Sequence, residues 1–161
     1  MKWRKKTVTI LLLITAVLLT ACTNKEEKDY KMIRCTRKAQ SSAGDNVKLD
    51  LSYKVYYKDD YVKKVIATDK VTSSDNSIIN QYANSYKNIY ASYDGLKHFS
   101  NKITVTKDSM TSITEIDYAH IDTDKLLEIE GKDDNVVNDE GKVPLKDFLA
   151  FYEKYGAKCD K

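Results

Sequence analysis

Eleven consecutive residues constrain this chain more than any other feature. Val47, Leu49, Leu51, Tyr53, Val55 and Tyr57 alternate with Lys48, Asp50, Ser52, Lys54 and Tyr56. A side-chain period of two over that length is a strand with one face buried and one face wet. It commits the chain to a sheet that is covered on one side and open to water on the other.

The neighbours of this strand extend the pattern. Tyr30 to Lys38 carries Met32 and Ile33 among basic residues and reads as a first strand, and Ser41 to Asn46 is a turn cluster. Lys58-Asp59-Asp60 reads as a hairpin turn into a partner strand from Tyr61 to Thr72, whose β-branched residues favour a strand over a helix. Ser73-Ser74-Asp75 offers side-chain oxygens to the free N–H groups of a helix start. Ile78, Ile79, Tyr82, Tyr86, Ile89, Tyr90 and Tyr93 follow at helical spacing, and Gly95 is a stop. A second hairpin is expected from Ile103–Lys107 and Met110–Tyr118, turning at Asp108-Ser109. A short helix over Asp122–Glu130 and a polar loop over Gly131–Lys142 come next. A last helix opens at Pro144, buries Leu145, Phe148, Leu149, Tyr152 and Tyr155, and ends at Gly156. The expected fold is α+β: an antiparallel sheet of about five strands in the order β-β-β-α-β-β-α-α, packed against helices.

The N-terminus has a different character. Lys2, Arg4, Lys5 and Lys6 precede Val8–Leu19, in which only Thr9 and Thr15 interrupt ten apolar residues. As a helix that run is about 18 Å long, short of a bilayer core of ~30 Å. A charged start, a short apolar stretch and small residues form a secretory signal. Leu19-Thr20-Ala21-Cys22 resembles the bacterial lipobox, in which the cysteine sulfur receives diacylglycerol before the signal is cut away. More than one acyl chain is needed for firm membrane attachment, which such an anchor supplies. The expected organisation is a signal over residues 1–21, a polar tether over 22–29 and one domain over 30–161, held on the extracytoplasmic face of the cell membrane through Cys22.

Loss of the signal removes four of the 27 Lys and Arg residues and none of the 24 Asp and Glu, leaving a net charge of −1. The positive charge of the whole chain therefore belongs to the signal, and a nucleic-acid partner is not expected.

Cys35 and Cys159 remain. An even pair on an exported chain points to a disulfide, and the alternative is two buried free thiols. Neither has a second cysteine or a histidine at zinc-ligand spacing.

Taken together, the lipobox cysteine, the cysteine-bearing first strand and the long strand entering Tyr57-Lys58-Asp59-Asp60 form a recognisable series. The Tyr-rich helix, the segment Ile121-Asp122-Thr123-Asp124-Lys125-Leu126-Leu127 and the ending Tyr155-Gly156-Ala157-Lys158-Cys159 complete it. The series resembles the YehR-like lipoproteins, most closely their Gram-positive members, over roughly residues 30–159. The resemblance implies an α+β fold and a lipid anchor, and it implies no reaction or ligand.

Candidate sites are few. His98 and His120 have no partner at i±4, so no HExxH-type metal site exists, and neither a metal nor a cofactor is expected. Glu115 and Asp117, two apart on one strand, would share a face and could serve acid–base chemistry on a glycan, although solvated strand residues are commoner. Asp133, Asp134, Asn135, Asn138, Asp139 and Glu140 offer calcium-type oxygens, but Val137 falls where a ligand should stand. Tyr82, Tyr86, Tyr90 and Tyr93 form a stripe suited to a core, or to an aromatic platform for a glycan or peptide. These features favour a non-catalytic binding or envelope-interaction module, with a cell-wall or envelope protein ligand, over a wall hydrolase built on the carboxylate pair.

Overall fold

A computed structural model describes residues 29–40, 46–131 and 136–160. The expected signal, Cys22 and most of the expected tether lie outside the described residues. The elements run β1 (Lys31–Gln40), β2 (Lys48–Lys58), β3 (Tyr61–Thr72), α1 (Asn76–Ala91), β4 (Phe99–Val105), β5 (Ser109–Ile116), α2 (Thr123–Glu130), β6 (Val143–Pro144), α3 (Leu145–Lys154) and β7 (Lys158–Cys159). The sheet is antiparallel throughout, in the order β4-β5-β3-β2-β1-β7, with β6 on the free end of β3. It has seven strands among the described residues, where about five were expected. The two additions, β6 and β7, are two residues long and too short to show a periodicity.

Local chemistry explains the joints. Asp59 and Asp60 both have positive φ, 52° and 62°, which is the backbone of a tight hairpin turn matched to strand twist. Tyr56 pairs Lys64 but Tyr57 pairs Val62, so Lys63 is one residue too many. This bulge resets the alternation, and Val62 and Val65 both enter the core although three positions apart. The Asp75 carboxylate accepts from the Ser77 N–H at 2.8 Å and starts α1 where the sequence placed it. Asp122 does the same for α2 through the Lys125 N–H. Pro144 closes β6 and stands just before α3, whose first residue is Leu145 rather than the proline.

Cys35 and Cys159 are directly opposite in the β1–β7 pair and form the disulfide. The bond therefore fixes a strand on the sheet edge; the last helix is held only indirectly. No helix among the described residues is long and apolar enough to cross a membrane.

The three helices of the described residues lie on one face. Arg34, Lys38, Lys48, Lys54, Lys70 and Lys102 alternate outwards on the other face with Met32 and Ile113, which are exposed. Under the helices the apolar core is divided. Phe148 of α3 packs with Val55, Val62, Val65 and Val143, while Ile79 and Ala83 of α1 pack with Val47, Val71 and Met110. A third group, Leu96, Ile121 and Leu126, holds α2.

Candidate functional site

The gap in the core follows from strand register. Leu51 pairs Asp69, Asp69 pairs Ser112, and Ser112 pairs Ile103. In the next inward row Tyr53 pairs Ala67, Ala67 pairs Thr114, and Thr114 pairs Asn101. Polar side chains thus cross the covered face of the sheet between two apolar groups. Asn101 Nδ2 donates to Ser112 Oγ and to Thr114 Oγ1, both at 2.8 Å. Tyr90 bonds to the same two hydroxyls.

A cleft of about 280 Å³ opens over this belt. Tyr53, Tyr90, Tyr93, Phe99, Tyr118 and Tyr152 wall it, and Asp69 and Glu130 are its charged residues; among the described residues no lysine or arginine lines it. The walls support one another. Tyr53 and Tyr152 have ring centroids 4.4 Å apart, and Tyr93 stacks on Phe99 at 4.4 Å. The Tyr93 hydroxyl donates to Glu130 Oε1 at 3.0 Å. A wider depression of about 500 Å³ shares Tyr90, Tyr93 and Phe99 with it.

Asp69 is the anomaly. Tyr86 hydrogen-bonds its carboxylate, yet Oδ1 is buried with no hydrogen-bond partner among the described residues. Buried acceptors are rarely left unmet, because desolvation is then uncompensated. Burial pushes the Asp69 carboxyl above its ordinary range, and the Tyr86 bond only partly opposes this. Burial pushes the Tyr53 phenol up to about 12, helped by the nearby Asp69 charge. Tyr86, Tyr93, Tyr118 and Tyr152 shift upwards for the same first reason. At neutral pH the cleft therefore presents neutral hydroxyls that donate and accept, not phenolate nucleophiles.

The tyrosine stripe of α1 divides between the two readings of it. Tyr82 and Tyr86 pack on the α1 core, while Tyr90 and Tyr93 line the cleft. Glu115 and Asp117 do not form the expected strand pair. Asp117 lies beyond the end of β5, and Glu115 is ion-paired to Lys64 at 2.7 Å. In the acidic loop, Asn138 Oδ1 accepts from the N–H groups of Glu140 and Lys142, which is turn chemistry. Asp133, Asp134 and Asn135 lie outside the described residues.

The two histidines, distant in sequence, meet. Phe99 pairs Ile116, which sets His98 beside Asp117, and the Asp117 N–H donates to the His98 carbonyl at 2.9 Å. Asp117 Oδ2 lies 2.8 Å from His120 Nδ1 and 3.7 Å from His98 Nδ1. The Asp117-x-x-His120 spacing was visible in the sequence, whereas His98 joins only through strand pairing.

No family model matches the sequence, and no curated protein matches it. Solved structures do match. The solution structure of Escherichia coli YehR superposes with a TM-score of 0.57 at 18% identity, covering 83% of this chain and 94% of that one. The fold is YehR-like. The solution structure of a protein from Streptococcus pneumoniae TIGR4 covers 99% of this chain and 98% of that one, with a TM-score of 0.51 at 16% identity. At these identities the YehR likeness concerns the fold alone.

Proposed function

We propose that this chain is a YehR-like lipoprotein, anchored through Cys22 on the extracytoplasmic face of the membrane, that binds an envelope ligand in the tyrosine cleft without turning it over. The observation that carries the reading is the orphaned Asp69 oxygen beneath aromatic walls. A protein that interrupts its own core with an unmet acceptor has a reason to meet it from outside. The cleft chemistry describes the ligand. A flat face stacks on the rings, hydroxyl or amine donors meet Asp69 and Glu130, and positive charge is tolerated while negative charge is repelled. A wall glycan carrying amino or hydroxyl groups fits these terms. No arrangement among the described residues favours the hydrolase alternative, since Glu115 and Asp117 are engaged with different partners.

The anchor has its own test. Cys22→Ala is expected to abolish incorporation of labelled palmitate and to leave the precursor uncut. Palmitate retained by that variant removes the assignment.

Asp69→Asn separates site from scaffold, because its two effects have opposite signs. The folded-state pKa of Asp69 is raised, so its stabilising contribution is complete below the ordinary carboxylate pKa and is lost as pH rises through the folded value. At neutral pH the ionised carboxylate is a cost. The variant is therefore expected to unfold later at neutral pH, with the gain vanishing in acid. Retention of the full chain on purified cell wall is expected to fall, since a hydrogen bond to a charged group contributes about 1.5–3 kcal/mol, roughly ten- to a hundredfold in affinity. Unchanged retention alongside raised stability would place the ligand site elsewhere.

A further inference from the structure

We propose that His98, Asp117 and His120 form a binding site for a divalent transition cation, with zinc the foremost occupant. The site is separate from the cleft, and its test does not depend on the cleft reading.

Three donor atoms converge. Both Nδ1 atoms turn towards the same carboxylate oxygen, and all three donors lie within 4.8 Å of one another. Donor atoms around a tetrahedral zinc with bonds of about 2.0–2.2 Å stand roughly 3.4 Å apart. The observed separations from Asp117 Oδ2, 2.8 and 3.7 Å, bracket that value. The imidazole rings are 5.4 Å apart at 30° and approach from two separate chain segments. Nitrogen donors with one carboxylate suit zinc and its neighbours better than calcium or magnesium, which prefer oxygen alone.

The surroundings hold the arrangement in place. Asp117 Oδ1 accepts from the Ala119 N–H at 3.1 Å, which orients the carboxylate and leaves Oδ2 to the histidines. His98 has φ of +66°, in the left-handed region that most side chains avoid but that His and Asn tolerate better than most. The side chains of His98 and His120 are 45% and 46% exposed, so a cation reaches them from solvent and keeps positions open for water or a further ligand. Binding exchanges no net proton when both rings are neutral. A ring that carries its proton on Nδ1 passes it to Nε2 through solvent, and the Nδ1 lone pair takes the metal.

The full chain, purified in detergent and stripped of metal, is titrated with zinc chloride and, in parallel, with cobalt chloride. One equivalent of zinc per chain is expected, with visible absorption from the cobalt form and a displaced Nδ1 resonance with Nε2–H retained in both imidazoles by nitrogen NMR. His98→Asn keeps a residue that tolerates the left-handed backbone, and His120→Gln keeps a polar chain. Each is expected to weaken zinc by at least the roughly 10- to 100-fold that loss of an outer-sphere partner costs, with an unchanged circular dichroism spectrum. Absence of saturable uptake by the unaltered chain at millimolar zinc overturns the proposal. So does uptake that both substitutions leave intact, which would put the metal on other residues.

Discussion

Removing the disulfide is expected to lower the stability of the folded chain by about 5 kcal/mol at most, and by at least ~2 kcal/mol. The two cysteines are 124 residues apart in sequence, so the cross-link confines almost the whole unfolded domain. The chain-entropy relation gives about 5 kcal/mol for a loop of this length. That is comparable to the whole stability of many domains. Cys35 is fully buried, so the proper variant is Cys35→Ala with Cys159→Ala, which leaves no stranded hydroxyl in the core. The loss is read from the guanidinium midpoint. Its slope is expected to steepen, because the unfolded chain without the cross-link exposes more surface. A change under ~1 kcal/mol would show that the β1–β7 pairing and the core hold the edge without the bond. Thiol alkylation without reductant supplies the companion measurement, with neither cysteine of the native protein labelled.

Phe148→Ala is expected to cost about 3–5 kcal/mol. Phe148 is 1% exposed and ties α3 to Val55, Val62, Val65 and Val143. Its ring centroid lies 4.7 Å from that of Tyr152, which in turn faces Tyr53 across the wall of the cleft. Truncation empties the centre of one core group and removes the support behind one wall. Both stability and wall retention are therefore expected to fall, in contrast to the opposite signs expected for Asp69→Asn. Tyr155→Ala is the control: Tyr155 is 46% exposed, and the change is expected to stay under ~1 kcal/mol. Equal losses from the two substitutions would mean that α3 is not seated as described.

The residues that carried the sequence reading are those whose neighbours repeat a simple rule. Val47 to Tyr57 alternates without a break, Asp75 caps a helix that begins where its side chain predicts, and Cys35 and Cys159 pair. The rule fails at β4. The strand begins at Phe99, but the reading began it at Ile103, because Asn101 occupies an inward position where a hydrophobe was sought. Asp69, Ser112 and Thr114 break the inward pattern on the next two strands of the sheet in the same way. The lost periodicity and the cleft have one cause: the side chains that build the polar belt cannot also signal a core. The histidine pair was hidden for another reason. His98 and Asp117 are brought together by the pairing of β4 with β5, and no local spacing encodes that contact.

The placement of the two bonded cysteines has a topological consequence. Nearly every turn and loop of the domain lies between Cys35 and Cys159, so the backbone and the sulfur bridge together form a closed covalent circuit. One cut anywhere within that circuit yields two peptides that stay joined through the sulfur bridge. A domain closed in this way survives a single nick without losing either piece. Release of the distal piece requires a second cut or a reductant.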